Sequence, residues 1–189
     1  MKVAMIGHKR VPSREGGIEI VVEELSTRMV KQGIQVDIYN RSGHNVAGSK
    51  YDKNNKKLKN YKGCHIFKIP TFQNKKLNAV VYSFIATVRA LFRHYDVIHF
   101  HAEGPCSMIW LPHLFGIRTV ATIHGLDWQR SKWGRFATKY LKFGEKAAAK
   151  YADEIIVLSK NVQQYFKDTY DRDTVYIPNG INKMEIREA

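Results

Sequence analysis

Two adjacent glycines, Gly16 and Gly17, lie between a short apolar run and an amphipathic helix pattern that opens at Ile18 and Glu19. A glycine pair lets a ligand approach the backbone closely, and the unpaired N–H groups of a following helix attract anions. The pattern therefore predicts a phosphate site. The loop contains neither G-x-G-x-x-G nor G-x-x-x-x-G-K-[ST], which argues against the two commonest nucleotide-binding loops.

A second set of candidate residues, Thr122 to Trp128, also follows an apolar run. Gly125 permits a sharp turn there, so that both the imidazole and the backbone carbonyl of His124 can face a ligand. We interpret this segment as a functional turn. The alternative is an ordinary connection to a helix that Asp127 caps.

A histidine pair, His99 and His101, alternates along a predicted strand, so both side chains point to the same side. A metal site would need more ligands at suitable spacing, and only Glu103 and the distant Asp127 follow. We therefore expect no metal. We expect His99 to be a hydrogen-bonded core residue and His101, at the end of the strand, to contact substrate.

The elements that position these residues are short apolar runs that alternate with helical patterns. The predicted strands are Val3–Ile6, Val36–Tyr39, Ile66–Ile69, Val97–Phe100, Thr119–Ile123, Ile155–Leu158 and Val175–Ile177. This alternation predicts an α/β fold, a Rossmann-like three-layer α/β/α domain with a mostly parallel sheet. Such sheets bind ligands beyond the carboxyl ends of their strands, where the candidate residues lie.

Long helices are predicted at Ile18–Gln32, Lys75–His94 and Trp133–Ala152. At about 100° per residue, five basic residues of the third helix fall on one stripe: Arg135, Lys139, Lys142, Lys146 and Lys150. Phe136 and Phe143 are assigned to the opposite, packed side. The stripe is either a solvated face or a surface that contacts an anionic partner such as a membrane. A lysine-rich stretch, Gly43 to Gly63, is interpreted as a solvated insertion.

The composition limits the class of protein. With 189 residues and 44% apolar residues, the chain suffices for one well-buried domain. The formal charge of +14 implies attraction to nucleic acid, an acidic membrane or a phosphorylated substrate. Two isolated cysteines argue against a disulfide framework, so we expect a cytoplasmic location. Without a long apolar segment, any membrane contact would be peripheral, at the inner face of the cell membrane.

Five motifs, in this order and spacing, together resemble the N-terminal half of glycosyltransferase family 4. They are Gly16–Glu19, Asp96–His101, Thr122–Trp128, Ala152–Ser159 and Ile177–Ile181. The segment Gly125–Gly134, with its two tryptophans, looks most like the bacterial rhamnosyltransferase-like members that build surface polysaccharides.

The resemblance implies one half of a retaining enzyme of GT-B architecture, in which two Rossmann-like domains face each other across a cleft. It implies that Gly16, Gly17 and Glu19 contact the phosphates and sugar of a nucleotide-sugar donor. His124 would be catalytic, through a backbone carbonyl that stabilises the oxocarbenium-like transition state. The acceptor side would be lined by His101, Glu103, Gly125 and Asp127. The acceptor would be a glycan, with a polyprenyl-linked one expected, and neither a cofactor nor a metal would be needed.

The segment Pro178, Asn179 and Gly180 corresponds to the hinge between the two domains of the family, and nine residues follow it. We therefore expect residues 1–189 to form the N-terminal, acceptor-side domain alone. The C-terminal nucleotide-sugar-binding domain would be absent, because the N-terminal half was isolated, because the enzyme is split into two chains, or because the product is truncated. The chain alone would then be inactive.

Two alternatives come from other classes. A non-catalytic module that binds anions or nucleic acid would explain the charge, and Trp128 and Trp133 could stack on bases. It leaves the glycine loop and the His124 turn unexplained, so we expect no specific nucleic-acid partner. A dinucleotide-binding oxidoreductase shares the fold, but the second strand ends in Asn40 and Arg41 instead of an acidic ribose ligand.

Overall fold

The computed structural model describes residues 1–42, 58–71, 77–131 and 133–180. Its strands are β1 (Lys2–Ile6), β2 (Gln35–Arg41), β3 (Asn60–Tyr61), β4 (Cys64–Ile69), β5 (Val97–His101), β6 (Arg118–Ile123), β7 (Glu154–Val157) and β8 (Val175–Tyr176). Its helices are α1 (Gly17–Lys31), α2 (Asn78–Leu91), α3 (Glu103–Cys106), α4 (Trp110–Leu114), α5 (Arg135–Tyr151) and α6 (Lys160–Tyr170), with a 3-10 turn at Asp127–Gln129.

The described strands form one sheet in the order β3-β4-β2-β1-β5-β6-β7-β8. Neighbouring strands are parallel except for the short β3–β4 pair. The chain moves outward from β1 in one direction, returns across the sheet through α2, and continues in the other direction from β5. The carboxyl ends of β1 and β5 therefore meet at the point where the strand order reverses, which is where such sheets bind ligands.

A hydrophobic core lies on each of the two faces of the sheet. One face packs under α1 around Val3, Met5 and Ile38. The other packs against α2, α5 and α6 around Phe100 and Ile155. These five side chains are at most 2% exposed, and burying one such side chain contributes about 1.5–3 kcal/mol. This double burial confirms the predicted three-layer α/β/α fold.

The predicted strands are all present, with ends that shift by one or two residues, whereas β3, α3, α4, α6 and the 3-10 turn were not predicted. Helix α2 begins at Asn78 and ends at Leu91, inside its predicted range. Residues 75 and 76 of that range, and most of the predicted solvated insertion, lie outside the described residues.

One prediction about α5 is wrong. Phe136 and Phe143 were assigned to its packed side, but they are 61% and 55% exposed. At about 100° per residue they lie within about 60° of Lys139, so they share its outward face. The space beneath α5 is filled instead by small residues, including Gly144 and Ala148, which allow close approach to α3.

Candidate functional site

The site is built at the carboxyl ends of adjacent strands β1, β5 and β6. His101 is the last residue of β5 and pairs in register with Thr122 of β6, which brings it next to the turn at His124. His101 Nδ1 lies 3.3 Å from His124 Nε2. Gly7, just beyond β1, has a φ of +125°, and a Cβ there would lie 2.1 Å from the carbonyl oxygen of His101. Only glycine therefore permits this close approach.

The histidines of this edge are neutral. The rings of His99 and His101 stack with centroids 4.2 Å apart, and His99 Nε2 lies 2.7 Å from Thr122 Oγ1. Burial lowers the pKa of His99 to about 3 and that of His124 to about 4. Burial and the neighbouring histidines hold the pKa of His101 well below its usual range. His99 is thus the hydrogen-bonded core residue that the sequence predicted.

The contacts inside the glycine loop differ from those that its sequence suggested. Glu19 is buried, its Oε1 accepts a hydrogen bond from the backbone N–H of Lys9 at 2.9 Å, and a Cβ on Gly16 would lie 1.9 Å from its Oε2. Gly16 therefore makes room for a carboxylate of the chain itself. At Gly17, the first residue of α1, a Cβ would meet nothing within 4 Å, so the start of this helix is open.

Asn40 holds the loop after β1. In the sequence analysis this residue served only as an argument against a dinucleotide-binding oxidoreductase. Asn40 is buried at the end of β2; its Oδ1 accepts a hydrogen bond from Val11 N and lies 2.9 Å from His8 Nε2. Its Nδ2 donates to Val11 O at 2.8 Å. Because the oxygen and the nitrogen of this buried amide both have hydrogen-bond partners, Asn40 fixes the loop that approaches His101.

Glu103 lies beneath the His124 turn. It is 1% exposed, and its Oε1 accepts a hydrogen bond from the backbone N–H of Asp127 at 3.2 Å. Burial, together with the nearby carboxylates of Glu145 and Asp127, raises the pKa of Glu103 to about 9, so this side chain is a neutral acid at pH 7. Its Oε2 is buried without a hydrogen-bond partner among the described residues.

The chain changes direction between His101 and Glu103 through a strained backbone conformation at Ala102. Ala102 has φ 72° and ψ 158°, a region that only glycine occupies easily. Its N–H donates to Thr122 O at 3.0 Å. Because Ala102 takes this conformation, His101 stays on the sheet while Glu103 is directed under the turn.

Glu145 of α5 was missed by the sequence reasoning, because a single glutamate among lysines on a helix resembles a surface residue. It is fully buried. Its Oε2 accepts a hydrogen bond from Trp128 Nε1 at 2.9 Å, and its Oε1 accepts from the hydroxyls of Tyr165 and Tyr170 at 2.8 and 2.5 Å. Glu145 therefore ties the segment after His124 to both α5 and α6.

The remaining predicted residues lie at the surface. Gly125 has φ +150° with open space around it, and Asp127 Oδ1 pairs with Arg130 Nε at 3.0 Å. The predicted hinge, 178–180, is exposed and has no regular secondary structure. All five residues of the basic stripe are exposed, and Lys142 Nζ lies 4.0 Å from the centroid of the Trp128 ring.

In the described ranges, no group of three histidine, cysteine or acidic side chains is arranged to hold a metal ion. Across the same residues, no helix combines the length and the apolar composition that crossing a bilayer requires.

The sequence profile of Glycosyltransferase Family 4 matches residues 15–184. The chain belongs to glycosyltransferase family 4. The match spans the glycine loop, the His124 turn and the predicted hinge. No curated protein sequence matches the chain.

Solved structures share the fold. Sucrose-phosphate synthase from Thermosynechococcus elongatus superposes with a TM-score of 0.69 and 19% identity, over 96% of this chain and 48% of that one. Anabaena HepE, in complex with UDP and glucose, gives 0.60 and 12%, over 96% and 45%. Arabidopsis thaliana UGT89C1, complexed with UDP-L-rhamnose, gives 0.52 and 12%, over 89% and 44%. This family 4 domain thus spans about half the length of these chains.

Proposed function

We propose that this domain is the acceptor side of a retaining glycosyltransferase that moves a hexosyl or rhamnosyl residue from a nucleotide-sugar to a glycan. The observation that carries the proposal is the His124–Gly125 turn, which follows β6 beside His101 of β5 and lies within electrostatic range of Glu19 in the first turn of α1. A family 4 domain with this arrangement can present a fixed carbonyl and neutral imidazoles to a sugar.

In the proposed reaction, the bond between the anomeric carbon and the donor phosphate breaks while the acceptor hydroxyl attacks from the same face. The hydroxyl proton passes to the departing phosphate oxygen. The backbone carbonyl of His124 stabilises the positive charge that develops on the sugar ring, as a preorganised dipole. The low pKa of His124 keeps its imidazole from adding positive charge near that centre. No metal or cofactor takes part in this scheme.

We further propose that a second domain, joined through Pro178–Gly180, binds most of the nucleotide. Two observations support this. The domain spans 48% of the sucrose-phosphate synthase chain and 45% of the HepE chain, and the glycine loop already contains the Glu19 carboxylate, which disfavours a diphosphate held by this loop alone. UDP-glucose and UDP-L-rhamnose are the first donors to test, because the HepE and UGT89C1 structures contain UDP with glucose and UDP-L-rhamnose.

The acceptor is proposed to be a lipid-linked glycan of surface polysaccharide synthesis, reached at the inner face of the cytoplasmic membrane. The support is the outward face of α5, where Phe136 and Phe143 stand among the five basic residues of the stripe. Each basic residue near an anionic surface contributes about 1 kcal/mol of attraction, and exposed phenylalanines among lysines are typical of helices that lie on a bilayer.

The transfer proposal is tested with the polypeptide as its source encodes it, including any further domain in the same reading frame. It is incubated with each donor and a polyprenyl-linked oligosaccharide, and the anomeric configuration of the product is read by NMR. We expect retention, a rate unchanged by EDTA, and a loss of about 10²-fold or more when His124 is replaced by proline, which distorts the carbonyl. His113→Ala, at an exposed histidine of α4, is the matched control. An inverted product would refute the proposal.

The membrane proposal is tested by sedimentation with vesicles of phosphatidylcholine alone or with 30% phosphatidylglycerol. We expect binding to the anionic vesicles only, and a loss of that binding when Lys139 and Lys146 are both changed to glutamate. The control changes two exposed lysines elsewhere, Lys31 of α1 and Lys160 of α6, in the same way. Equal losses in the two double variants would show that net charge, and not the α5 face, determines binding.

A further inference from the structure

Arg41, the last residue of β2, is a partly buried cation at the same sheet edge as the His124 turn. Its guanidinium lies over the Tyr82 ring, 4.7 Å from the centroid, and its Nη2 donates to the backbone carbonyl of Gly7 at 3.4 Å. Its Nε is buried and has no hydrogen-bond partner among the described residues. Arg41 is thus packed into the edge of the site with unused donor capacity.

No carboxylate in the described ranges forms an ion pair with Arg41, in contrast to Arg14 and Arg130, which pair with Glu23 and Asp127. Glu19 is the acidic group whose charge acts on Arg41, and its Oε1 is already held by Lys9 N. Burial lowers the pKa of Arg41, which reflects the cost of keeping this charge away from water. A cation that is largely removed from water and makes no direct ion pair is costly to the fold, and a ligand that supplies an anion reduces this cost.

The position of Arg41 indicates which part of a ligand it would meet. β2 is separated from β6, which leads into His124, by β1 and β5. The guanidinium, however, reaches the carbonyl of Gly7 just beyond β1, which is separated from β6 by β5 alone. Two strand spacings of about 4.8 Å put it about 10 Å from the end of β6. Glu19 of α1 and Tyr140 of α5 are near enough to act on the guanidinium electrostatically. An anion bound there would lie one to two sugar units from the carbonyl of His124.

We propose that Arg41 binds an anionic group of the acceptor, a phosphate ester or a carboxylate, about 10 Å from the point of transfer. The proposal rests on the proposed glycosyl transfer and specifies its acceptor as negatively charged. A guanidinium presents parallel N–H donors that match both groups, which an ammonium group does not reproduce. The same chemistry would suit the donor diphosphate, so the experiment separates the two sources.

The test measures binding and not turnover, so it remains informative if transfer itself is not observed. Inorganic phosphate, glucose 6-phosphate, glucose and UDP are titrated by calorimetry into the wild-type chain, Arg41→Met, Arg41→Lys and Arg118→Met. Arg118 is an exposed arginine at the opposite end of β6 and serves as the matched control. The melting temperature of each variant is recorded without ligand.

We expect glucose 6-phosphate to bind the wild type and Arg118→Met equally. Binding should weaken about tenfold or more in Arg41→Met and less in Arg41→Lys, with glucose and UDP unaffected. The melting temperature of Arg41→Met should be unchanged or higher, because an uncompensated charge is removed. A lower melting temperature with unchanged phosphate affinity would assign Arg41 a structural role and overturn the proposal. A selective loss of UDP binding would overturn the acceptor assignment.

Discussion

The neutral state of Glu103 makes the stability of the domain depend on pH above neutrality. Glu103 has a pKa of about 9 in the folded chain, against an ordinary value of 4.5. Between these values the folded state holds a proton that the unfolded state has released. The free energy of unfolding therefore falls as pH rises, by about 1.4 kcal/mol per pH unit. From pH 7 to 8.5 the loss is about 2 kcal/mol.

The perturbation that isolates this effect is Glu103→Gln, which keeps the shape of the side chain but cannot ionise. Urea unfolding of the wild type and the variant is measured at pH 7.0, 7.75 and 8.5. We expect the wild type to lose about 2 kcal/mol relative to the variant over this interval, or roughly 4–8 °C in melting temperature for a domain of this size. The variant should be the more stable protein at pH 8.5.

The interval is chosen to exclude other titrations. His8, His99 and His124 have lowered pKa values of about 4, 3 and 4, because of burial. Their stabilisation is fully present above the ordinary pKa of 6.5 and is lost as pH falls below it. Burial is the main cause of the raised pKa values of Cys64 and Cys106, so both thiols stay protonated in the folded chain of either protein over this interval. Parallel pH profiles for the wild type and Glu103→Gln would show that Glu103 is ionised in the folded chain and would refute the reasoning.

Three further predictions concern the supports of the His124 turn, each measured by urea unfolding. Glu145→Ala should cost about 3–5 kcal/mol, because three donors lose their buried acceptor; a loss below 1 kcal/mol would contradict this. Gly144→Ala should cost about 3 kcal/mol, because its Cβ would lie 1.9 Å from the carbonyl oxygen of Glu103. Gly134→Ala, where a Cβ meets nothing within 4 Å, should cost at most about 1 kcal/mol, the effect of alanine at the N-cap of α5. Ala102→Gly should stabilise the domain by about 1 kcal/mol, since glycine relieves the strain at φ 72°; a destabilised variant would show that no strain is stored there.

The outward face of α5 shows where pattern reasoning is strong and where it is weak. The angular projection placed the five basic residues on the exposed side, and they are exposed. It assigned Phe136 and Phe143 to the side opposite the basic stripe, yet both lie next to the stripe and are exposed. Lysine and arginine side chains are rarely buried, whereas an apolar side chain need not be buried, so the first inference is the more reliable of the two.

The sequence by itself determined the α/β class, the parallel sheet and the edge where the site lies. These follow from local patterns, because apolar β-branched runs form strands buried on both faces and parallel strands bring their carboxyl ends to one edge. It also located Gly16, Gly17, His101 and His124 at that edge. What only the tertiary structure decided were contacts between residues far apart in the chain. Three such features are the hydrogen bond from Trp128 to Glu145, the close approach of Gly7 to the carbonyl of His101, and the lack of a hydrogen-bond partner for Arg41 Nε among the described residues. They depend on how separate elements meet in space. No local pattern encodes such contacts, because burial and charge pairing are properties of the packed fold.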